Sequence, residues 1–151
     1  MKKNKYQKPK FNRYGLTQWY WLARHHQNLK LGRNTQIGPF TALDCQEGLI
    51  IEDNVKIGFH STIITFSAID NKKGPVILKR NCKIGAGSII MPKVTIGENS
   101  IVGANSFVNR SVPDNEIWFG TPAKFKAKIR TQKERKVSFF KKLIVKIWEK
   151  N

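Results

Sequence analysis

Acidic residues are scarce in this 151-residue chain: ten Asp and Glu stand against 28 Lys and Arg, a formal charge of +18 at neutral pH. Histidine is scarcer still, with His25, His26 and His60 as the whole supply. The two cysteines, Cys45 and Cys82, are too few for a disulfide scaffold and too far apart for a close metal-binding pair. Both are expected as reduced thiols. No apolar run approaches the roughly 18–20 residues that a membrane-spanning helix needs. The basic start MKKNKYQKPKFNRYG has no apolar stretch of the kind a secretory leader requires. These absences lead to the expectation of a cytoplasmic chain of one domain.

The surplus charge sits at the ends. Residues 1–30 carry eight Lys or Arg and no acid, and residues 125–151 carry ten basic and two acidic residues. Residues 31–124 are nearly neutral, at +2. Such ends suit an anionic surface or an acidic substrate. Nucleic acid is not expected, since no recognition motif accompanies the charge.

A six-residue rhythm dominates the middle. From Leu78 the chain divides into LKRNCK, IGAGSI, IMPKVT, IGENSI, VGANSF and VNRSVP. Each block opens on Leu, Ile or Val, and its fifth place is small or β-branched: Cys82, Ser88, Val94, Ser100, Ser106, Val112. The same pattern runs through LGRNTQ, IGPFTA and LDCQEG from Leu31. It resumes two residues late in IEDNVK, IGFHST and IITFSA from Ile51. A period of six is neither helical nor simple alternation. It fits short strands joined by turns, three blocks to a coil, each coil covering the aliphatic ladder of the next. Ile84 is then expected beneath Val102 and Ile90 beneath Val108. Glycine suits corners where a side chain would crowd the backbone. Cys82, at a fifth position, reads as core packing. The stretch DNKKGPVI, Asp70 to Ile77, breaks the rhythm and reads as an exposed loop.

PVILKRNCKIGAGSIIMPKVTIGENSIVGANSFVNRSVPDNEIWFGTPAK, with its ending SFVNRSVPDNEIWFGTPAK, resembles the hexapeptide-repeat acyltransferases, in particular their sugar O-acetyltransferase-like branch. The likeness runs from about Leu31 to Ile129. It implies an all-β fold, a left-handed parallel β-helix, assembled as a homotrimer with acyl-CoA between adjacent subunits and no metal. The implied activity is transfer of an acyl group, acetyl in the first place, from CoA to a hydroxyl or amine of a sugar or surface-glycan precursor. By the same resemblance the corners at Ala86 and Ala104 line the pantetheine arm. Asn109 and Arg110 take the places of the family's Thr-Lys, and Lys124 meets a CoA phosphate as a point charge.

One family feature is missing. The base is normally a histidine in a stretch such as T-H-S-S-I-D, and here the stretch is Thr65-Phe66-Ser67-Ala68-Ile69-Asp70. Neither Phe66 nor Ala68 can accept a proton. His60, six residues before Phe66, is the one histidine inside the repeat and the candidate catalytic base. It is placed one corner away, and the other readings are a substrate or interface contact, or plain surface. Asp70 is the carboxylate nearest the altered position in sequence. The loss of the histidine also supports an alternative: a non-catalytic trimeric homologue acting as a binding or scaffold protein. A metal-dependent solenoid of the carbonic anhydrase kind would need several histidines inside the repeat.

The expected organisation has three parts: a basic N-terminal arm with a capping helix over 1–30, the repeat domain over 31–129, and a basic amphipathic helical tail over 130–151. The capping helix is drawn from LTQWYWLARHHQNL, with Trp19, Tyr20 and Leu22 covering the coil end and His25 and His26 beside them. In the tail, Val137, Phe140, Ile144 and Ile147 form one face opposite lysines 141, 142, 146 and 150. Such a helix can rest on an anionic membrane surface or on the trimer body.

Overall fold

The computed structural model describes residues 7–129. They form a three-faced parallel β-solenoid of about five coils, the expected left-handed β-helix, with almost no helix. The first face stacks β1 (Leu22–Arg24), β4 (Ala42–Asp44), β7 (Thr62–Ile63), β10 (Ile89–Ile90) and β13 (Phe107–Val108). The second stacks β2 (Leu29–Leu31), β5 (Leu49–Ile51), β8 (Val76–Leu78) and β11 (Thr95–Ile96). The third stacks β3 (Gln36–Ile37), β6 (Lys56–Ile57), β9 (Lys83–Ile84), β12 (Ile101–Val102) and β14 (Glu116–Gly120). It closes with the antiparallel β15 (Ala123–Lys128).

The registers follow the six-residue rhythm. Val102 lies on Ile84 and Val108 on Ile90, as the sequence requires. Leu43, Ile63, Ile90 and Val108 form one ladder through the interior, each no more than 1% exposed. Full burial of one such side chain contributes about 1.5–3 kcal/mol. The fifth positions are buried too, and their hydroxyls are satisfied: Ser88 Oγ donates to the Gly103 carbonyl at 2.9 Å and Ser61 Oγ to that of Gly85 at 3.2 Å. One corner carries Asn34, Asn54, Asn81, Asn99 and Asn115, all with positive φ. Asparagine is among the few residues that tolerate this backbone.

Two expectations about the N-terminal part are corrected. The coil starts at Leu22, not at 31, because β1 pairs with β4 and β2 with β5. The segment expected as a capping helix is β1 followed by a single 3₁₀ turn, His26–Asn28. Its burial alternates, with Trp21 and Ala23 inside and Leu22 and Arg24 outside, which is a strand's period. The cap is Trp21, 2% exposed and in edge contact with Phe11, whereas Trp19 and Tyr20 are exposed. The expected C-terminal helix lies outside the described residues.

Cys45 and Cys82 are buried free thiols. Burial, with smaller contributions from Asp44 and Glu52 respectively, pushes both up to about 12. The folded chain at pH 8.5 is therefore expected to resist a thiol reagent, and the guanidinium-unfolded chain to react at both cysteines. Rapid labelling of the folded chain would contradict the packing. The folded pKa values are raised, so these thiols lower stability only as pH climbs from about 9 to about 12.

Candidate active site

Two corners flank the first face, and the sequence-derived site residues divide between them. The first corner comprises residues 38–41, 58–61, 85–88 and 103–106. Its turns are packed backbone to backbone: Gly87 N–H donates to the Phe59 carbonyl at 3.0 Å, and Asn105 N–H to that of Ala86 at 2.9 Å. A Cβ on Gly85 would lie 2.6 Å from the Ala104 Cα, so only glycine allows the approach. Ala86 is half-buried and Ala104 exposed on these turns. The turn after β14 folds onto the same corner, with Gly120 N–H donating to Ser106 Oγ at 3.1 Å and the Thr121 hydroxyl to the Asn105 carbonyl at 3.4 Å. Lys124 follows on β15, exposed and opposite Phe119.

His60 belongs to this first corner, one coil before Ala86. It has a left-handed backbone, φ 56°, as do Tyr20 and Phe40 above it. Its exposed ring lies 5.3 Å from that of Phe40 and 5.8 Å from that of Phe59. The corner therefore changes along its length from an aromatic column to a thin strip of small residues.

The second corner comprises residues 25–28, 45–48, 64–75, 91–94 and 109–112. Asn109 and Arg110 sit here, exposed, and Phe66 sits here half-buried. Phe66 bridges Lys73 at the base of a loop closed by Ser67 N–H to the Lys72 carbonyl at 2.8 Å. Lys72 Nζ reaches the Asn109 carbonyl at 3.5 Å. Asp70 is exposed and spent within this loop: the Ser67 hydroxyl and then the Lys72 N–H hold its carboxyl below the ordinary range.

The carboxylate beside Phe66 is Asp44, at the end of β4. Its Oδ2 accepts from Thr65 N–H at 3.3 Å, the Thr65 hydroxyl at 3.1 Å and Phe66 N–H at 3.2 Å. Its Oδ1 lies 3.7 Å from His25 Nδ1. Sequence reasoning missed both Asp44 and the placement of His25 on this corner. Among the described residues, no group of three or more His, Cys, Asp or Glu is placed to hold a metal ion.

The face between the corners is apolar outward. Leu22, Ala42, Thr62, Ile89 and Phe107 stand in register along it, with Ile89 38% exposed. The third face presents Gln36, Lys56 and Lys83 and then, in the same register, Ile101 and Ile117.

The family described as bacterial transferase hexapeptide (six repeats) matches residues 75–110, and that described as hexapeptide repeat of succinyl-transferase matches residues 48–92. The chain is 49% identical over 59 residues to a galactoside O-acetyltransferase of Lactococcus lactis, covering 39% of this chain and 28% of that one. It is 34% identical over 117 residues to a serine acetyltransferase of Buchnera aphidicola, covering 74% of this chain and 45% of that one. The chain thus spans less than half the length of these two relatives. Its fold matches a hexapeptide-repeat acetyltransferase from Vibrio cholerae, solved with acetyl coenzyme A, at TM-score 0.69 and 26% identity, over 74% of this chain and 66% of that one.

Proposed function

The chain belongs to the hexapeptide-repeat acyltransferase family, and from that premise we propose that it transfers an acyl group, acetyl in the first place, from coenzyme A to a hydroxyl or amine of a sugar, such as a surface-glycan precursor. The observation that carries the reading is the first corner. Ala86 and Ala104 leave two successive turns bare enough for a thin pantetheine chain, and Lys124 stands beside them for phosphate. The Vibrio cholerae structure with acetyl coenzyme A supports a donor of this kind, and the Lactococcus lactis relative supports a sugar acceptor. We place the protein in the cytoplasm, with the basic tail as a contact to the inner membrane surface.

Two variants test the donor site. Trp at Ala104, an exposed position, fills the strip without entering the core. Lys124→Glu reverses the charge offered to phosphate. Each is expected to weaken CoA binding by about tenfold or more, since 1.4 kcal/mol is a factor of ten, with the melting temperature unchanged. Titration calorimetry giving wild-type affinity for both would remove the donor site from this corner.

We also propose a homotrimer whose apolar first faces are covered by neighbouring copies. That arrangement brings the second corner of one copy toward the first corner of the next, completing the donor site and adding Asn109 and Arg110. Light scattering should give three times the 17.4 kDa chain mass. A monomer at micromolar concentration would refute the shared site.

His60 is the base candidate that the sequence puts forward, and it lies on the same corner as Ala86, one coil before it. If it takes the proton, His60→Ala lowers turnover by about 10²-fold or more; as a donor contact it costs far less. Phe66 favours a second reading, a binding or scaffold homologue. That reading prevails if the wild type binds CoA yet releases none with any of a broad set of sugars.

A further inference from the structure

We infer that the proton acceptor is His25, oriented by Asp44, on the corner occupied by Phe66; this rests on the acyl-transfer reading above. The first ground is a polar atom without a partner. His25 Nδ1 is buried and makes no hydrogen bond, and leaving a buried nitrogen so costs about 1–3 kcal/mol. What it faces is the Oδ1 of Asp44 at 3.7 Å. A base oriented by a third group is the usual arrangement, and its hydrogen bonds are commonly long before substrate binds.

The second ground is that Asp44 is fixed. Three donors from Thr65 and Phe66 hold Oδ2, and the Thr65 hydroxyl is itself held by Glu47 N–H at 3.0 Å. Oδ1 is left toward His25. A carboxylate there keeps the imidazole proton on Nδ1 and leaves the Nε2 lone pair free. The His25 side chain remains 37% exposed although Nδ1 is covered, so the exposed part of the ring lies on its other atoms.

The third ground is the comparison with His60. Among the described residues, no carboxylate forms an ion pair with His60, and its ring rests on two phenylalanines. It has aromatic neighbours but nothing to set its tautomer. His25 has the orienting acid, and it lies across the apolar face from the first corner, on the first coil of the solenoid.

The step balances with these groups alone. His25 Nε2 takes the proton of the acceptor O–H or N–H as that atom's lone pair attacks the thioester carbonyl carbon. The tetrahedral oxyanion collapses, the C–S bond breaks, and the sulfur leaves with the electron pair. The imidazolium returns its proton to the thiolate, giving the acylated acceptor and free CoA.

The test compares wild type with His25→Asn, Asp44→Asn and His60→Ala, following CoA release from acetyl-CoA with nitrophenyl glycosides and amino sugars as acceptors. Asparagine suits position 25 because it accepts the left-handed backbone found there, φ 54°. Thermal melting and CoA binding check that each variant is folded. His25→Asn is expected to lower kcat by about 10²-fold or more with the KM for acetyl-CoA little changed, and added imidazole to restore part of the loss. Asp44→Asn should lower kcat without imidazole rescue, and His60→Ala should cost less than either. The assignment is overturned by near-wild-type turnover in His25→Asn, by a loss that imidazole leaves untouched, or by His60→Ala taking the large loss instead. A wild type that binds CoA but releases none with any acceptor overturns the acyl-transfer reading and this assignment with it.

Discussion

Alanine at Gly85 is expected to unfold the centre of the solenoid. The added Cβ would meet the Ala104 nitrogen and lie 2.6 Å from both the Ala104 Cα and the Gly103 carbonyl carbon. All three are backbone atoms of the next coil, and no side chain can swing away to make room. Relief requires parting the coils, which breaks Gly85 N–H to the Val102 carbonyl at 2.8 Å and Asn105 N–H to that of Ala86 at 2.9 Å. Ordinary overpacking costs about 1–3 kcal/mol. Here the rigid neighbour pushes the cost toward the whole stability of a domain, about 5–15 kcal/mol. Ile90→Ala is the control of opposite sign in volume. It leaves a cavity between Ile63 and Val108 and should cost about 2–5 kcal/mol, roughly 4–20 °C in melting temperature at 2–4 °C per kcal/mol. Circular dichroism melts decide the matter. A Gly85→Ala chain that melts with the wild type would mean that the coils are not stacked at this spacing.

Such stacking is legible in a sequence because a solenoid is nearly one-dimensional. The partner of each core residue lies a fixed number of positions away, so Ile84 with Val102 and Ile90 with Val108 need only counting. The first coils were harder. They run twenty residues, as in Leu22 to Ala42 and Ala42 to Thr62, against eighteen in Ile89 to Phe107. The two-residue slip recognised near Gly48 recurs at the 3₁₀ turn His26–Asn28. Laying LARHHQNLKL over ALDCQEGLII at an offset of twenty would have extended the coil back to Leu22. It would also have put His25 on the corner of Asp44. The aromatic run Trp19-Tyr20-Trp21 obscured that offset by suggesting a helical cap. The Asp44–His25 approach lay beyond the pattern altogether, because side-chain direction at a corner depends on left-handed residues that the rhythm does not mark. The division of Ala86 and Ala104 from Asn109 and Arg110 was within reach, since one six-residue block moves the chain one corner on.

Restoring a histidine at position 66 is expected to rescue the His25→Asn variant. Phe66 N–H is bound to Asp44 Oδ2 at 3.2 Å, so position 66 is tied to the same carboxylate that faces His25. Phe66 is half-buried and paired with Lys73, and an imidazole is smaller than the ring it replaces. The resemblance implies a family histidine in this stretch, Thr65 to Asp70. The double variant His25→Asn, Phe66→His should therefore gain about 10–10²-fold in turnover over His25→Asn alone, approaching the contribution of one positioned base. Phe66→His in the wild-type background should gain little, because a base is already in place there. The contrast separates two accounts. If His25 holds only the fold of the corner, a histidine at 66 cannot compensate for its loss, and the double variant stays as slow as His25→Asn. If the corner is where the acceptor gives up its proton, either histidine serves, because Asp44 can orient each. A folded, CoA-binding double variant with no gain would place proton transfer elsewhere, and His60 on the donor corner would be the imidazole to pursue.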